Sequence, residues 1–240
     1  MSSIMVEIQL NKKVKNVTII EGFPGFGLVG TIATEFLIDH LQTEHVGRIL
    51  LDELPAVVAV HDGKVVEPIG LFYNKKHNLL ILHAITLVNG VEWKVADAVL
   101  KVAEQLDAKE IISLEGVGNQ NVLEGKSYFL SKDPKKEVQL KKLGVEPLKE
   151  GIVMGVTGAI FIKSDTIPAS AFFAETHTDL PDSKAAAQLL QVLDKFLGLN
   201  LDYKPLMQQA EKFEQKLKDL LLKSKETQDM QDKKKLSYVG

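Results

Sequence analysis

Apolar and polar residues alternate in short blocks along the first two thirds of the chain. The period switches between two, as in a strand, and about 3.6, as in a helix. Val6, Ile8 and Leu10 alternate as a strand does. Val17 to Ile20 is a β-branched run, followed by the turn-rich Glu21-Gly22-Phe23-Pro24-Gly25. Thr31 to Leu41 then predicts a helix, with Ile32, Phe36, Leu37 and Leu41 at helical spacing. Val57 to Val60, Ile69 to Tyr73 and Leu79 to Ile85 read as strands, and Asp62-Gly63 is a hairpin signal. Val91 to Leu106 predicts an amphipathic helix whose stripe is Val95, Val99, Val102 and Leu106.

Glu110 to Leu114 reads as a further strand, which Gly116, Gly118 and Asn119 are expected to break. Residues 123 to 150 are rich in Lys and Glu and suggest short, partly exposed elements. Gly151 to Ile162 is apolar but interrupted by Gly155 and Gly158, the pattern of a strand turning into a closely packed helix. Ala169 to Ala174 reads as the last core strand. Ser183 to Leu197 predicts a helix, with Ser183 as N-cap and Gly198 as its stop. Such alternation predicts an α/β fold: a sheet covered by helices on both faces.

The last part of the chain changes character. Between Tyr203 and Leu222, the residues Leu206, Ala210, Phe213, Leu217, Leu220 and Leu221 form one helical stripe. It packs either on its own domain or between subunits. From Lys223 to Lys235 Met230 is the one large apolar residue, which predicts a solvated, flexible tether. The chain then ends in Leu236-Ser237-Tyr238-Val239-Gly240, an apolar and aromatic tip suited to a pocket on another protein. The expected organisation is a core over 1–202, a helix over 203–222 and a tail over 223–240.

Composition narrows the function classes. The formal charge of the 240 residues is -3, from 29 basic and 32 acidic side chains, so the basic excess of a general nucleic-acid binder is missing. There is no cysteine, which excludes disulfides, thiolate metal sites and cysteine nucleophiles and fits a reducing cytoplasm. Apolar runs such as Leu79 to Leu82 fall far short of the ~20 residues of a membrane span. Met1 to Leu10 carries Glu7 and lacks the pattern of a signal peptide.

Gly25-Phe26-Gly27-Leu28-Val29-Gly30 is a G-x-G-x-x-G sequence between a predicted strand and a predicted helix. That is the setting in which bare amides and a helix N-terminus receive a pyrophosphate. Asp52 and Glu53 follow at roughly the ~20 residues where a ribose-binding carboxylate is expected. On this reading the chain is a nucleotide- or dinucleotide-binding enzyme. Against it, Pro24 removes an amide, and Phe23 and Phe26 would crowd a phosphate. The alternative is a tight structural turn, or a subunit contact, built from Phe23, Pro24, Gly25, Phe26, Gly27 and Gly30.

Other chemistry is thin. None of the six histidines forms an H-x-x-x-H pair. Glu175, His177 and Asp179 share one side of an extended segment and could meet a metal or a substrate, or simply end a strand. Neither a G-x-S-x-G elbow nor a G-K-[ST] phosphate loop occurs. Glu115-Gly116-Val117-Gly118 ends a strand where α/β sheets often hold ligands, without an evident acid–base partner.

Three stretches together resemble a known family. They are Glu21 to Gly30 (EGFPGFGLVG), Ala169 to Thr176 (ASAFFAET) with Pro181 after it, and Ala185-Ala186-Ala187 leading to Leu197-Gly198-Leu199-Asn200-Leu201-Asp202. Over roughly residues 15 to 215, the chain resembles the archaeal branch of the proteasome assembly chaperones. The resemblance implies a single α/β domain of the phosphorylase- or hydrolase-like sandwich type. It implies a cytoplasmic homo-oligomer that is not an enzyme, works without ATP or any cofactor, and holds proteasome α-subunits during ring assembly. In some relatives a tail ending in hydrophobic–Tyr–any residue enters pockets between α-subunits. Leu236, Tyr238, Val239 and Gly240 are similar in kind, although Tyr238 stands third from the end and follows Ser237. Independently of the resemblance, Phe213 and Leu217 are candidate oligomer contacts, and the glycine turn is either an oligomer contact or a structural turn. Neither nucleic acid nor membrane is an implied partner.

Overall fold

The structure is a computed structural model that describes residues 6–54, 56, 58–61, 63–118, 125–176, 180–206 and 208. In chain order the first half contains β1 (Val6–Leu10), β2 (Thr18–Gly22), a 3-10 turn (Phe26–Leu28), α1 (Val29–His40), β3 (Glu44–Leu51), β4 (Ala59–His61), β5 (Lys64–Val66), β6 (Ile69–Asn74), β7 (Leu79–Ala84) and α2 (Glu92–Gln105). The second half contains β8 (Glu110–Gly118), β9 (Ser127–Ser131), α3 (Pro134–Lys142), β10 (Glu146–Pro147), α4 (Gly155–Lys163), β11 (Ala169–Thr176) and α5 (Ser183–Leu197).

Nine strands form one sheet in the order β1-β3-β6-β7-β2-β8-β11-β9-β10, and β4 and β5 form a separate hairpin. The central strands β7, β2, β8 and β11 are parallel. The pairs β1–β3, β3–β6, β6–β7 and β9–β11 are antiparallel. Central parallel strands have both faces covered, so every residue of β7 is buried and its sequence is apolar apart from His83.

Two cores sandwich this sheet. Ile19, Leu80 and Leu82 pack with the α2 stripe Val95, Val99, Val102 and Leu106 and with Val156 and Ile160 of α4. Their neighbours Ile20, Leu79 and Ile81 point the other way, onto Ala33 and Leu37 of α1 and Leu189 and Leu193 of α5. Each fully buried Leu or Ile side chain contributes about 1.5–3 kcal/mol. The sheet with helices on both faces is the predicted fold class.

Several local expectations are corrected. The N-cap of α5 is Asp182, not Ser183: its carboxylate accepts the Ala185 amide at 2.9 Å. Gly116 and Gly118 do not break β8, which continues to Gly118 in register with Ala174 and Thr176 of β11. Gly151 to Met154 is not a strand, and the helix begins only at Gly155. Strand β3 had no counterpart in the sequence reading; it carries β1 at one edge of the sheet. Of the predicted C-terminal helix, Lys204 to Leu206 are described as helical, and Leu206 is buried in the α1/α5 core.

The glycine-rich turn is clamped from two directions. A Cβ on Gly22 would lie 2.2 Å from the Gly30 carbonyl oxygen, and a Cβ on Gly30 would lie 2.2 Å from that of Leu114. The first turn of α1 therefore rests directly on the backbones of β2 and β8. Beyond it, the Asp182 amide donates to the Gly27 carbonyl at 2.8 Å, and the Thr176 hydroxyl donates to the Asp182 carboxylate at 2.8 Å. On the same face, Thr34 Oγ1 lies 2.9 Å from Nδ1 of His83, tying α1 to β7. Burial pushes His83 down to about 4, so its imidazole is neutral near pH 7.

This packing predicts a steep contrast between two glycines. Gly30→Ala drives a methyl into a backbone carbonyl that cannot yield, and is expected to cost roughly 3 kcal/mol. At the exposed Gly151 the added methyl meets only the Leu148 side chain at 3.6 Å, and stability should be nearly unchanged. Urea midpoints of the two variants measure the difference, and equal losses would contradict the backbone crossing.

Candidate functional site

At the carboxyl ends of β2 and β8 lies a cavity of about 510 Å³. Open α/β sheets place ligands at this end of their strands. Phe23 to Phe26 form one wall, Leu87 to Asn89 a second, and Leu148 with Glu150 to Val156 a third. The mouth is apolar: Phe26, Leu87, Ile152 and Met154 all border it and all are exposed, Ile152 at 89%. An exposed apolar group of this size on one rim is the mark of a contact surface.

The floor is polar, and the sheet register explains why. Glu21 pairs with Ser113, and Glu115 lies two residues further along β8 opposite Phe173 of β11. With a period of two, Glu21 and Phe23 share a face with Ser113 and Glu115. That face meets the start of α4. Thr157 of α4 has its hydroxyl oxygen 2.6 Å from Glu115 Oε1 and 3.3 Å from Glu21 Oε1. A hydroxyl carries one hydrogen, so the bridge is complete when it donates to Glu115 and receives the proton of Glu21. Glu21 is fully buried, with the Ser113 hydroxyl of the neighbouring strand beside its carboxyl.

The electrostatics follow from this burial. Desolvation first, and then the charge of Glu115, push Glu21 up to about 8; the Ser113 and Thr157 hydroxyls only partly offset this. Desolvation pushes Glu115 up to about 7, against the hydrogen bond from Thr157. The two carboxyls titrate as a pair and share a proton around neutrality.

The glycine turn does not have the surroundings of a dinucleotide site. Gly30 is spent on the Leu114 carbonyl and Gly27, with φ of 61°, on the Thr176 side chain. Asp52 and Glu53 follow β3, which is separated from β2 by β6 and β7, a displacement of roughly 14 Å across the sheet. Glu53 is ion-paired with Lys94. Of the turn residues, Phe23 is buried, Pro24 and Gly25 line the cavity wall, and Phe26 stands at its mouth.

Glu175 is spent on structure: it accepts from the Tyr128 hydroxyl at 2.8 Å and from the Lys126 amide at 3.2 Å. His177 and Asp179 lie outside the described residues, as do Phe213, Leu217, Leu236, Tyr238, Val239 and Gly240. No three His, Asp or Glu side chains converge on a possible metal position among the described residues. No helix among them is long and apolar enough to cross a membrane. The Glu21–Thr157–Glu115 bridge was not found by sequence reasoning. Its only signal was an acidic residue closing each of two apolar runs, Ile19-Ile20-Glu21 and Ile111 to Glu115.

The raised pair has a consequence for stability. The folded chain holds these protons more tightly than the unfolded chain, whose carboxyls have the ordinary value of 4.5. Stability from the pair is full below that value and is lost as pH rises through about 7 to 8. His83 acts oppositely, losing stability as pH falls from 6.5 toward 4. Glu21→Gln should therefore gain roughly 2–3 kcal/mol of stability relative to the parent chain between pH 5.5 and pH 8.5. Tm measured for both proteins across that range tests this, and parallel curves would contradict it.

Comparison with known proteins places this fold. The model of the PAC2 family matches residues 19–221. An uncharacterized protein of Methanocaldococcus jannaschii is 31% identical over 213 residues, covering 86% of each chain. The crystal structure of Pyrococcus furiosus PbaA, an archaeal homolog of proteasome-assembly chaperone, superposes with a TM-score of 0.82 and 29% identity over 93% of this chain and 100% of that one. Pyrococcus furiosus PbaB, an archaeal proteasome activator, shares the fold with a TM-score of 0.77 and 23% identity over 90% of this chain and 98% of that one. Matched from β2 past the end of α5, with the same sheet and the same helices around it, the chain belongs to the PAC2 family.

Proposed function

We propose that this protein is a cytoplasmic, ATP-independent, homo-oligomeric chaperone that binds proteasome α-subunits and assists assembly of the 20S particle, partly through its C-terminal tail. The observation that carries this reading is the end-to-end similarity to PbaA at 29% identity, within a family model spanning most of the chain. The surface is consistent with a binding role. Phe26, Leu87, Ile152 and Met154 crowd one cavity mouth, and Val58, Val60 and Val65 stand exposed on and beside the β4–β5 hairpin. These apolar groups suit contacts with other subunits, whether of this chain or of its client.

On this reading Phe213 and Leu217 extend the contact between copies of the chain. The tip Leu236, Tyr238, Val239 and Gly240 then docks on the client as an aromatic anchor with a free carboxylate. An oligomer presents several tips at once, so weak single contacts combine through effective concentration. The glycine turn has a structural job here and needs no cofactor.

Pull-down of purified α-subunits by the full chain, and by a chain lacking Leu236 to Gly240, tests the reading. Capture by the full chain and roughly tenfold weaker capture by the truncated one are expected, a loss of about 1.4 kcal/mol. Circular dichroism should be unchanged by the truncation. Failure of the full chain to bind α-subunits would overturn the chaperone reading, and equal capture by both chains would overturn the role of the tail.

A further inference from the structure

We propose that the cavity at the carboxyl ends of β2 and β8 is a binding site for a small organic cation, an ammonium or guanidinium group carried on an apolar body. The charge inventory points to the head group. The charged side chains that line the cavity are Glu92, Glu115 and Glu150, and the described lining includes no Lys, Arg or His. Behind Glu115, on the same sheet face, the fully buried Glu21 adds a second carboxyl beneath the lining. A cationic donor seated against Glu115 would make a charge-assisted hydrogen bond, the strong kind.

The walls point to the rest of the ligand. Phe23, Phe26 and Phe173 line the same space, with Val88, Met154 and Val156. Aromatic faces accept a cation and its hydrocarbon together. The cavity volume of about 510 Å³ is in the range of small-molecule sites. An anion finds no basic side chain in the described lining, whose ionisable groups are carboxyls. A divalent metal finds no converging set of three ligands among the described residues.

Binding is linked to protons. Glu115 faces Glu21 from β2, Ser113 on its own strand, Thr157 from α4, and the cavity carboxylates Glu92 and Glu150. The cation favours the ionised pair and displaces the shared proton to solvent. Release of a proton near pH 7, and tighter binding as pH rises toward 8, distinguish this site from an apolar pocket.

The inference stands apart from the chaperone reading, since it concerns a ligand and not a protein client. Calorimetry of the full chain with benzylamine, and with benzyl alcohol as the uncharged match, tests it at pH 6 and pH 8. Benzylamine should bind at least tenfold more tightly than benzyl alcohol at pH 8, with a heat that depends on the buffer because a proton is released. Glu115→Gln should weaken benzylamine binding at least tenfold and leave benzyl alcohol unaffected. Met154→Lys, at an exposed rim position, places a tethered ammonium at the mouth and should weaken benzylamine severalfold without disturbing the core. Equal affinity for the two probes, no binding of benzylamine at pH 8, or indifference to both substitutions would overturn the proposal.

Discussion

The architecture depends on one backbone crossing, where the first turn of α1 lies on β2 and β8 with no side chain between them. The Gly30 carbonyl occupies the position a Gly22 Cβ would take, and the Leu114 carbonyl does the same for Gly30. A third contact completes the crossing: the Phe26 carbonyl lies 2.1 Å from where a Gly116 Cβ would be. Backbone meets backbone here, and that approach draws the turn before the helix over the ends of the strands. Phe23, Pro24, Gly25 and Phe26 thereby become a cavity wall. The bonds from Asp182 and Thr176 then fasten that wall to the start of α5.

The same constraint explains why a nucleotide-like glycine pattern occurs in this fold. Close helix–strand packing and phosphate binding both call for glycine at a strand-to-helix turn. Residues 25–30 alone do not separate the two uses. The strand that follows α1 does. In a dinucleotide fold it lies beside the first strand and carries the ribose carboxylate. Here β3 is displaced by two intervening strands, and Glu53 is neutralised by Lys94. The distinction is one of sheet order, which no short motif encodes.

What was legible in the sequence was whatever depends on neighbours along the chain. The α2 stripe of Val95, Val99, Val102 and Leu106, the extent of α5 and the buried run of β7 follow from periodicity, and each is found in place. Strand β3 was missed because its Glu-His-Val-Gly-Arg start has no clean alternation, and its pairing with β6 shifts register between His45 and Gly47. The break expected at Gly116 was wrong because that glycine makes room for the crossing Phe26 carbonyl rather than ending the strand. The carboxyl bridge was hidden for a related reason. Glu21 and Glu115 become neighbours only through the β2–β8 register, and the hydroxyl between them comes from a third element.

A fully buried carboxyl beside a half-buried one is an expensive way to build the floor of a cavity. Apolar side chains of similar volume would generally make a more stable core. Their cost is carried where the strands end, beneath a cavity open to the surface, and stability given up at such positions is commonly tied to function. Their placement also couples the floor of the cavity to its rim. A partner seated on Phe26, Ile152 and Met154 would close the mouth, deepen the desolvation of Glu115 and tighten the hold on the shared proton. A cation inside would do the reverse and drive that proton off. Because binding free energies are reciprocal, a ligand that ionises the pair must alter the affinity of the rim by the same factor as the rim alters the affinity of the ligand. On the proposed reading the apolar rim and the acidic floor act as one thermodynamic unit, joined by the few residues between β2, β8 and the start of α4.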